Sequence, residues 1–119
     1  MTTSVRVVLM TTPDQQAGEK LGTTLVEERL ATCANVVPLL SSVYWWQGRV
    51  ERASEALLIL KTGQARVDAL RERAVALHPY DVPELLVLEV ADGHQPYLDW
   101  VLRESQPGGE QVNEGGKKE

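Results

Sequence analysis

The chain has 119 residues, 43% of them hydrophobic and 24% charged, and a net charge of −5 from 12 Lys and Arg against 17 Asp and Glu. That length suits one domain with an ordinary core, and the balance of residues excludes wholesale disorder. A single Cys excludes an internal disulfide, no apolar run nears the ~20 residues that span a bilayer, and the acidic balance argues against a general nucleic-acid binder. The opening Met-Thr-Thr-Ser-Val-Arg lacks the basic-then-apolar order of a secretory signal, so the cytoplasm is the expected location. Of only six aromatic residues, three are consecutive: Tyr44, Trp45 and Trp46.

Residues 5–10 are a short run rich in β-branched side chains, stopped by Thr12, Pro13 and Asp14. Asp14 is the expected N-cap of a helix over 15–31, whose apolar stripe is Ala17, Leu21, Leu25, Val26 and Leu30. Gly18 and Gly22 each weaken that helix by about 1 kcal/mol relative to Ala. Being four residues apart, they also permit close backbone packing on one face. Residues 33–48 read as a long strand in which Pro38 implies an edge position or a bulge, because proline cannot donate to a ladder. Gln47 and Gly48 supply a tight turn. The return strand, 50–61, begins with Glu51, Arg52 and Glu55 and ends in the block 56–60. Its first half is expected to be exposed or at an interface, and its second half covered on both faces.

A second helix is predicted over 64–77 from Val67, Leu70, Ala74 and Leu77, and His78-Pro79-Tyr80 ends it. Residues 85–90 form the fourth strand. A last helix, 96–104, carries Tyr97, Trp100 and Val101 on one side. The order β-α-β-β-α-β-α defines an α+β fold, a ferredoxin-like βαββαβ sandwich with a long middle hairpin and a C-terminal helix. Both crossovers are long enough for a helix, as parallel neighbours require. The domain spans 1–104. Residues 105–119 hold one aliphatic side chain, Val112, and read as a flexible polar tail.

The hairpin is too long for this body. Fourteen residues span about 46 Å at the ordinary strand rise, whereas a compact body of this size is only about 35 Å across. The tip must therefore overhang, and it carries Tyr44, Trp45 and Trp46, which bury ~150–250 Å² each when covered. Pairing along the sheet of a second copy accounts for this better than folding back onto the chain's own core, or than a face for some other partner.

Several stretches resemble one family in order and spacing: residues 26–38 (VEERLATCANVVP), 42–48 (SVYWWQG), 60–62 (LKT), 78–84 (HPYDVPE) and 97–100 (YLDW). They are similar to the CutA proteins, the divalent-cation tolerance proteins, and cover most of residues 5–104. The resemblance implies a tight, intertwined homotrimer in which long hairpins extend the neighbours' sheets. It also implies an architecture like the PII signalling trimers, a role in divalent-metal and particularly copper tolerance, and copper or another divalent metal as the bound ion.

The candidate site residues follow from chemistry and from that resemblance together. Cys33 offers a soft thiolate for a metal, against the alternative of a small buried hydrophobe. His78 heads a loop braced by two prolines. It is the second expected metal ligand, against the alternative of a helix-terminal His bonded to exposed carbonyls. Some family members carry a further Cys where this chain has Met10 and a further His where it has Leu77, so a richer copper site is not expected here. Lys61, Tyr80 and Glu84 are candidates to line a cleft for a small anion, with Lys61 alternatively pairing with Glu84 or Glu89. Tyr44, Trp45 and Trp46 are the expected trimer interface, and His94 a turn residue. Cys33 and His78 could meet in space as nucleophile and base. No Ser-His-Asp order or phosphate-binding glycine loop is present, and a binding protein rather than an enzyme is expected.

Overall fold

The structure, a computed structural model, describes residues 2–108. In chain order it holds β1 (Val5–Thr12), α1 (Gln15–Glu27), β2 (Cys33–Trp46), β3 (Arg49–Gly63), a single 3-10 turn (Gln64–Arg66), α2 (Val67–Leu77), β4 (Leu86–Glu89) and α3 (Gln95–Glu104). Residues 109–119, most of the expected tail, lie outside the described residues. Ser105, its first residue, is buried, and its hydroxyl accepts from the Gly63 amide at 3.2 Å.

The four strands run in the order β2-β3-β1-β4, and every neighbouring pair is antiparallel. This is the expected ferredoxin-like sandwich, with one correction: the crossovers do not join parallel neighbours. β3 lies between β1 and β2, and β1 between β3 and β4, so each helix connects strands two places apart.

Local chemistry explains the element ends. Asp14 caps α1 as expected, its Oδ1 accepting from the Ala17 amide at 2.8 Å. The helix stops at Glu27 rather than running to 31, because Arg29 turns left-handed at φ 62°. The amides of Leu30 and Ala31 then bond back to the Leu25 carbonyl, satisfying the helix end. Leu30 remains in the core all the same. The hairpin turn has Gln47 at φ 50° and Gly48 at φ 79°, the pair of positive values that a two-residue type I′ turn demands. Pro38 meets both of its expectations: β2 is an edge strand, and its register with β3 shifts between Val37 and Leu40. Within that bulge Leu39 sits at φ 60°, a left-handed conformation that costs a side-chain-bearing residue about 1–2 kcal/mol.

One face of the sheet is covered. Val8, Met10, Leu58 and Leu60 pack there against Leu21 and Leu25 of α1 and Leu70 and Ala74 of α2. Leu77, the last residue of the predicted α2 stripe, is exposed instead. The two glycines of α1 face the sheet. A Cβ on Gly22 would lie 2.9 Å from the Ala34 Cβ and 3.2 Å from a Leu58 methyl, so the helix rests on the strands at backbone distance.

The opposite face is largely bare. Ala56, Leu58 and Leu60 are buried while Leu57 and Ile59 are only half-buried, which corrects the expectation that this block is covered on both sides. Val7 and Leu9 of β1 are likewise half-buried, and Leu86 and Leu88 of β4 are exposed. Among the described residues, only α3 lies on this side. It closes one end with Leu98 and Val101 against Val5, while Tyr97 and Trp100 pack at the margin. Leu98 thus takes the inward place that the sequence reading gives to Trp100.

The molecule measures 51 × 31 × 24 Å, its length set by the hairpin. Trp45 at the tip is 75% exposed and Trp46 58%. Replacing Gly22 by Ala is expected to cost about 1–3 kcal/mol through overpacking, read as a lower urea midpoint with an unchanged slope. An unchanged midpoint would show that α1 can lift off the sheet freely.

Candidate functional site

The residues singled out in the sequence divide into two separate groups. The first stands at the root of the hairpin. His78 follows α2 directly, and its ring is buried against the end of β1. Its Nδ1 accepts from the Tyr80 amide at 3.0 Å, and its Nε2 lies 2.7 Å from the Thr11 carbonyl. An amide only donates and a carbonyl only accepts, so this pairing places the ring proton on Nε2. Both nitrogens are then engaged within the chain, leaving no lone pair for a metal. A carbonyl does bind this His, as the structural alternative supposes, but it belongs to β1 rather than to the end of α2.

Tyr80 stacks at a tilt on His78, with ring centroids 4.7 Å apart, and its hydroxyl donates to Glu55 Oε2 at 2.7 Å. Glu55 is buried and faces Leu40 across the ladder, immediately beyond the bulge. Burial is the main reason that the Tyr80 phenol is pushed well above its ordinary range, and the adjacent Glu55 carboxylate adds to it. Glu84 does not join this group. It is exposed and makes no hydrogen bond or ion pair among the described residues.

The second group lies at the start of β2. Cys33 and Lys61 face each other across the β2–β3 ladder, and Asn35, two residues along, shares their face. The Asn35 side-chain oxygen accepts from Lys61 Nζ at 2.7 Å and lies 3.5 Å from Cys33 Sγ. Lys61 therefore pairs with a neutral amide, not with Glu84 or Glu89. Cys33 is half-buried, between the accessible ligand and the fully buried hydrophobe that the sequence allows. It opens onto a groove of about 1040 Å³ between α1 and α3, whose walls include Val26, Asn35, Tyr97 and Trp100. His94 stands exposed on the groove margin, just before α3.

The two groups do not meet. Lys61 pairs with Val7 near the start of β1, whereas His78 docks on Thr11, four residues further on. That spacing is about 13 Å along a strand, with β3 also lying between β2 and β1. Cys33 and His78 therefore form neither a shared metal site nor a nucleophile–base pair within one chain. Among the described residues, no group of three or more His, Cys, Asp or Glu side chains could hold a metal ion. Tyr44, Trp45 and Trp46 are distant from the groove-side group, on the hairpin's outer end.

Sequence reasoning missed Asn35, Glu55 and Thr11. Asn35 could have been found from strand alternation, since residues two apart share a face. Glu55 carried a weaker signal, a lone charge directly before an apolar block. Thr11 acts through its backbone carbonyl, which no side-chain pattern reveals.

The antiparallel β2-β3-β1-β4 sheet backed by α1 and α2, with a long hairpin and a helix closing the far end, defines a ferredoxin-like α+β protein. Comparison with known proteins narrows that class. The family model "CutA1 divalent ion tolerance protein" matches residues 6–104. The divalent-cation tolerance protein CutA of Thermus thermophilus is 50% identical over 99 residues, covering 83% of this chain and 95% of that protein. A chloroplastic CutA 1 of rice is 45% identical over 95 residues, 80% of this chain, which spans only 54% of the rice protein. Among solved structures, the Thermus thermophilus protein superposes with a TM-score of 0.82 at 46% identity, over 84% of this chain and 97% of that one. CutA from Xylella fastidiosa gives 0.85 at 38% identity, over 87% and 100%. The chain belongs to the CutA family of divalent-ion tolerance proteins.

The raised Tyr80 proton affinity has a definite sign. A phenol that holds its proton more tightly when folded contributes stability below its unfolded value of about 10, and that stability is lost as pH rises beyond it. The native protein is therefore expected to lose stability above about pH 10, and Tyr80→Phe to flatten that alkaline slope while costing about 1–3 kcal/mol at pH 7 for the unpaired Glu55. Urea midpoints measured across pH for both proteins check this. Parallel alkaline slopes would mean that Tyr80 is not the linked group.

Proposed function

We propose that this chain acts as a homotrimer in divalent-cation tolerance, by binding rather than by catalysis, in the cytoplasm. The observation that carries the assembly is the bare apolar sheet face. Val7, Leu9, Leu57, Ile59, Leu86 and Leu88 remain partly or fully accessible on one chain, beside a hairpin that overhangs the body with its aromatic tip uncovered. Apolar surface of that extent is ordinarily buried. The names of the relatives supply the physiological setting, divalent-cation tolerance in the case of the Thermus thermophilus protein. Compartment varies among the names, with a chloroplastic relative in rice and a periplasmic one in Archaeoglobus fulgidus.

In this reading the cation is copper or another divalent metal, and Cys33 makes the contact. Its sulfur is accessible whereas both His78 nitrogens are engaged. A thiolate beside a threefold axis is supplied three times, which approaches the three or four donors of a soft-metal site. A second reading is favoured by Lys61. Among the described residues its ammonium meets only a neutral amide, so its charge remains available to a small anionic ligand in a cleft between subunits, as in a PII-like signalling trimer.

Light scattering on the eluting size-exclusion peak tests the assembly. Three subunits of 13.2 kDa predict about 40 kDa, and a single 13.2 kDa species would overturn the proposal. For the metal, Cys33→Ser is expected to weaken copper or zinc binding at least tenfold in calorimetry. His78→Ala should lower stability and leave the affinity in place. Equal affinity in native protein and Cys33→Ser would remove Cys33 from the site. Stabilisation by nucleotides or organic acids in the presence of chelator, lost in Lys61→Ala, would favour the second reading.

A further inference from the structure

Among the described residues, three that bear side chains adopt left-handed backbone: Arg29, Leu39 and Gln47. Two of them are explained inside the chain. Arg29 closes the end of α1, and its guanidinium reaches Glu104 at 2.6 Å, tying α3 to that turn. Gln47 takes the first place of the type I′ hairpin turn. Leu39 has no such account. A bulge at Pro38 needs a residue that tolerates positive φ, for which Gly or Asn serves without strain. Leucine is poorly suited to that conformation, and its side chain is 88% exposed, so it contributes no packing within the chain. Strained backbone persists where something outside the local geometry sets the residue.

We propose that Leu39 is an assembly contact, an apolar knob presented by the strained Pro38–Leu39 bulge and covered by a second copy of this chain. The inference rests on the trimer reading above and assigns it a residue. Leu39 lies at the root of the overhanging half of the hairpin. The same strand carries Val43, Tyr44, Trp45 and Trp46, exposed by 54, 43, 75 and 58%. The three aromatics alone leave roughly 300–400 Å² accessible, near half of the ~800 Å² that each partner of a stable complex buries. Leu39 extends this apolar stretch towards the body, and the bare sheet face of another copy offers matching apolar surface. A second copy relieves the exposure of Leu39 and gives the strained conformation a function.

Subunit exchange tests the proposal. Native protein is mixed with ¹⁵N-labelled protein, and mixed trimers are counted over time by native mass spectrometry, because weakened interfaces show mainly as faster dissociation. Leu39→Asn keeps a residue suited to positive φ and removes the apolar side chain, while Leu39→Met keeps an apolar one. Leu39→Asn is expected to exchange at least tenfold faster than native protein, with an unchanged far-UV circular dichroism spectrum, and Leu39→Met within threefold of it. Exchange by Leu39→Asn at the native rate, in a protein that is trimeric, would overturn the assignment of Leu39 alone. A native protein that is monomeric at all concentrations would overturn the trimer reading and this inference with it.

Discussion

Two helices back one face of the sheet while, among the described residues, the other has only α3 at one end, and the rest of the structure depends on that asymmetry. Two crossover helices, α1 and α2, cover Val8, Met10, Leu58 and Leu60 and build an ordinary core from them. The other face is closed at one end by the short α3 and otherwise presents apolar side chains to the surroundings. A four-stranded sheet of this kind is complete as a fold but incomplete as a surface. Its strands supply the same β-branched and aliphatic residues on both sides, so the second side needs a cover that the described residues do not supply. The hairpin, about a third longer than a compact body of this size is wide, is the part of the chain positioned to provide such a cover elsewhere.

The polar groups are arranged around that geometry. At the hairpin root, Thr11, His78, Tyr80 and Glu55 form one connected chain of hydrogen bonds, running from β1 through the loop after α2 to β3. His78 and Glu55 are buried, Thr11 and Tyr80 half-buried, and together they fix where the hairpin leaves the body. This is a structural employment of residues whose types suggest chemistry. At the start of β2, Cys33, Asn35 and Lys61 remain accessible. The polar groups able to meet a ligand are therefore on the bare side of the sheet, next to the groove that α3 borders. Arg29 and Glu104 link α3 back to the end of α1, and the guanidinium holds the Glu104 carboxyl below the usual carboxylate range.

Most of the fold was legible from local signals. Asp14, Gly48 and the hairpin turn state their conformations outright, and the β-branched run of β1 and the apolar block of β3 mark strands. What the sequence could not convey was which side of each strand is covered. The block 56–60 is apolar at every position, so its pattern cannot distinguish two buried faces from one buried and one bare. The same difficulty affects α3, where Tyr97, Leu98, Trp100 and Val101 leave two candidate inward faces. Leu98 took the place because its compact side chain fits against Val5 and Gly93. The site was legible only as residue types. Cys33 and His78 each looked like a ligand, but their separation follows from register and from a backbone carbonyl, neither of which a side-chain pattern records. Lys61 was expected beside an acid, and the strand partner that reached it was the amide of Asn35.

The central claim, that the bare face and sheet edges are covered by further copies, is tested most directly by hydrogen–deuterium exchange of the native protein. Among the described residues of one chain, β4 pairs only with β1, so the alternate amides of Leu86–Glu89 that do not face β1 have no partner there, and the same holds for the outer edge of β2. The account predicts that these outward amides, together with those of the 39–46 stretch, exchange at least a hundredfold more slowly than free peptide at micromolar protein. Exchange at near-peptide rates along both edges, in the presence of a protected core, would contradict it.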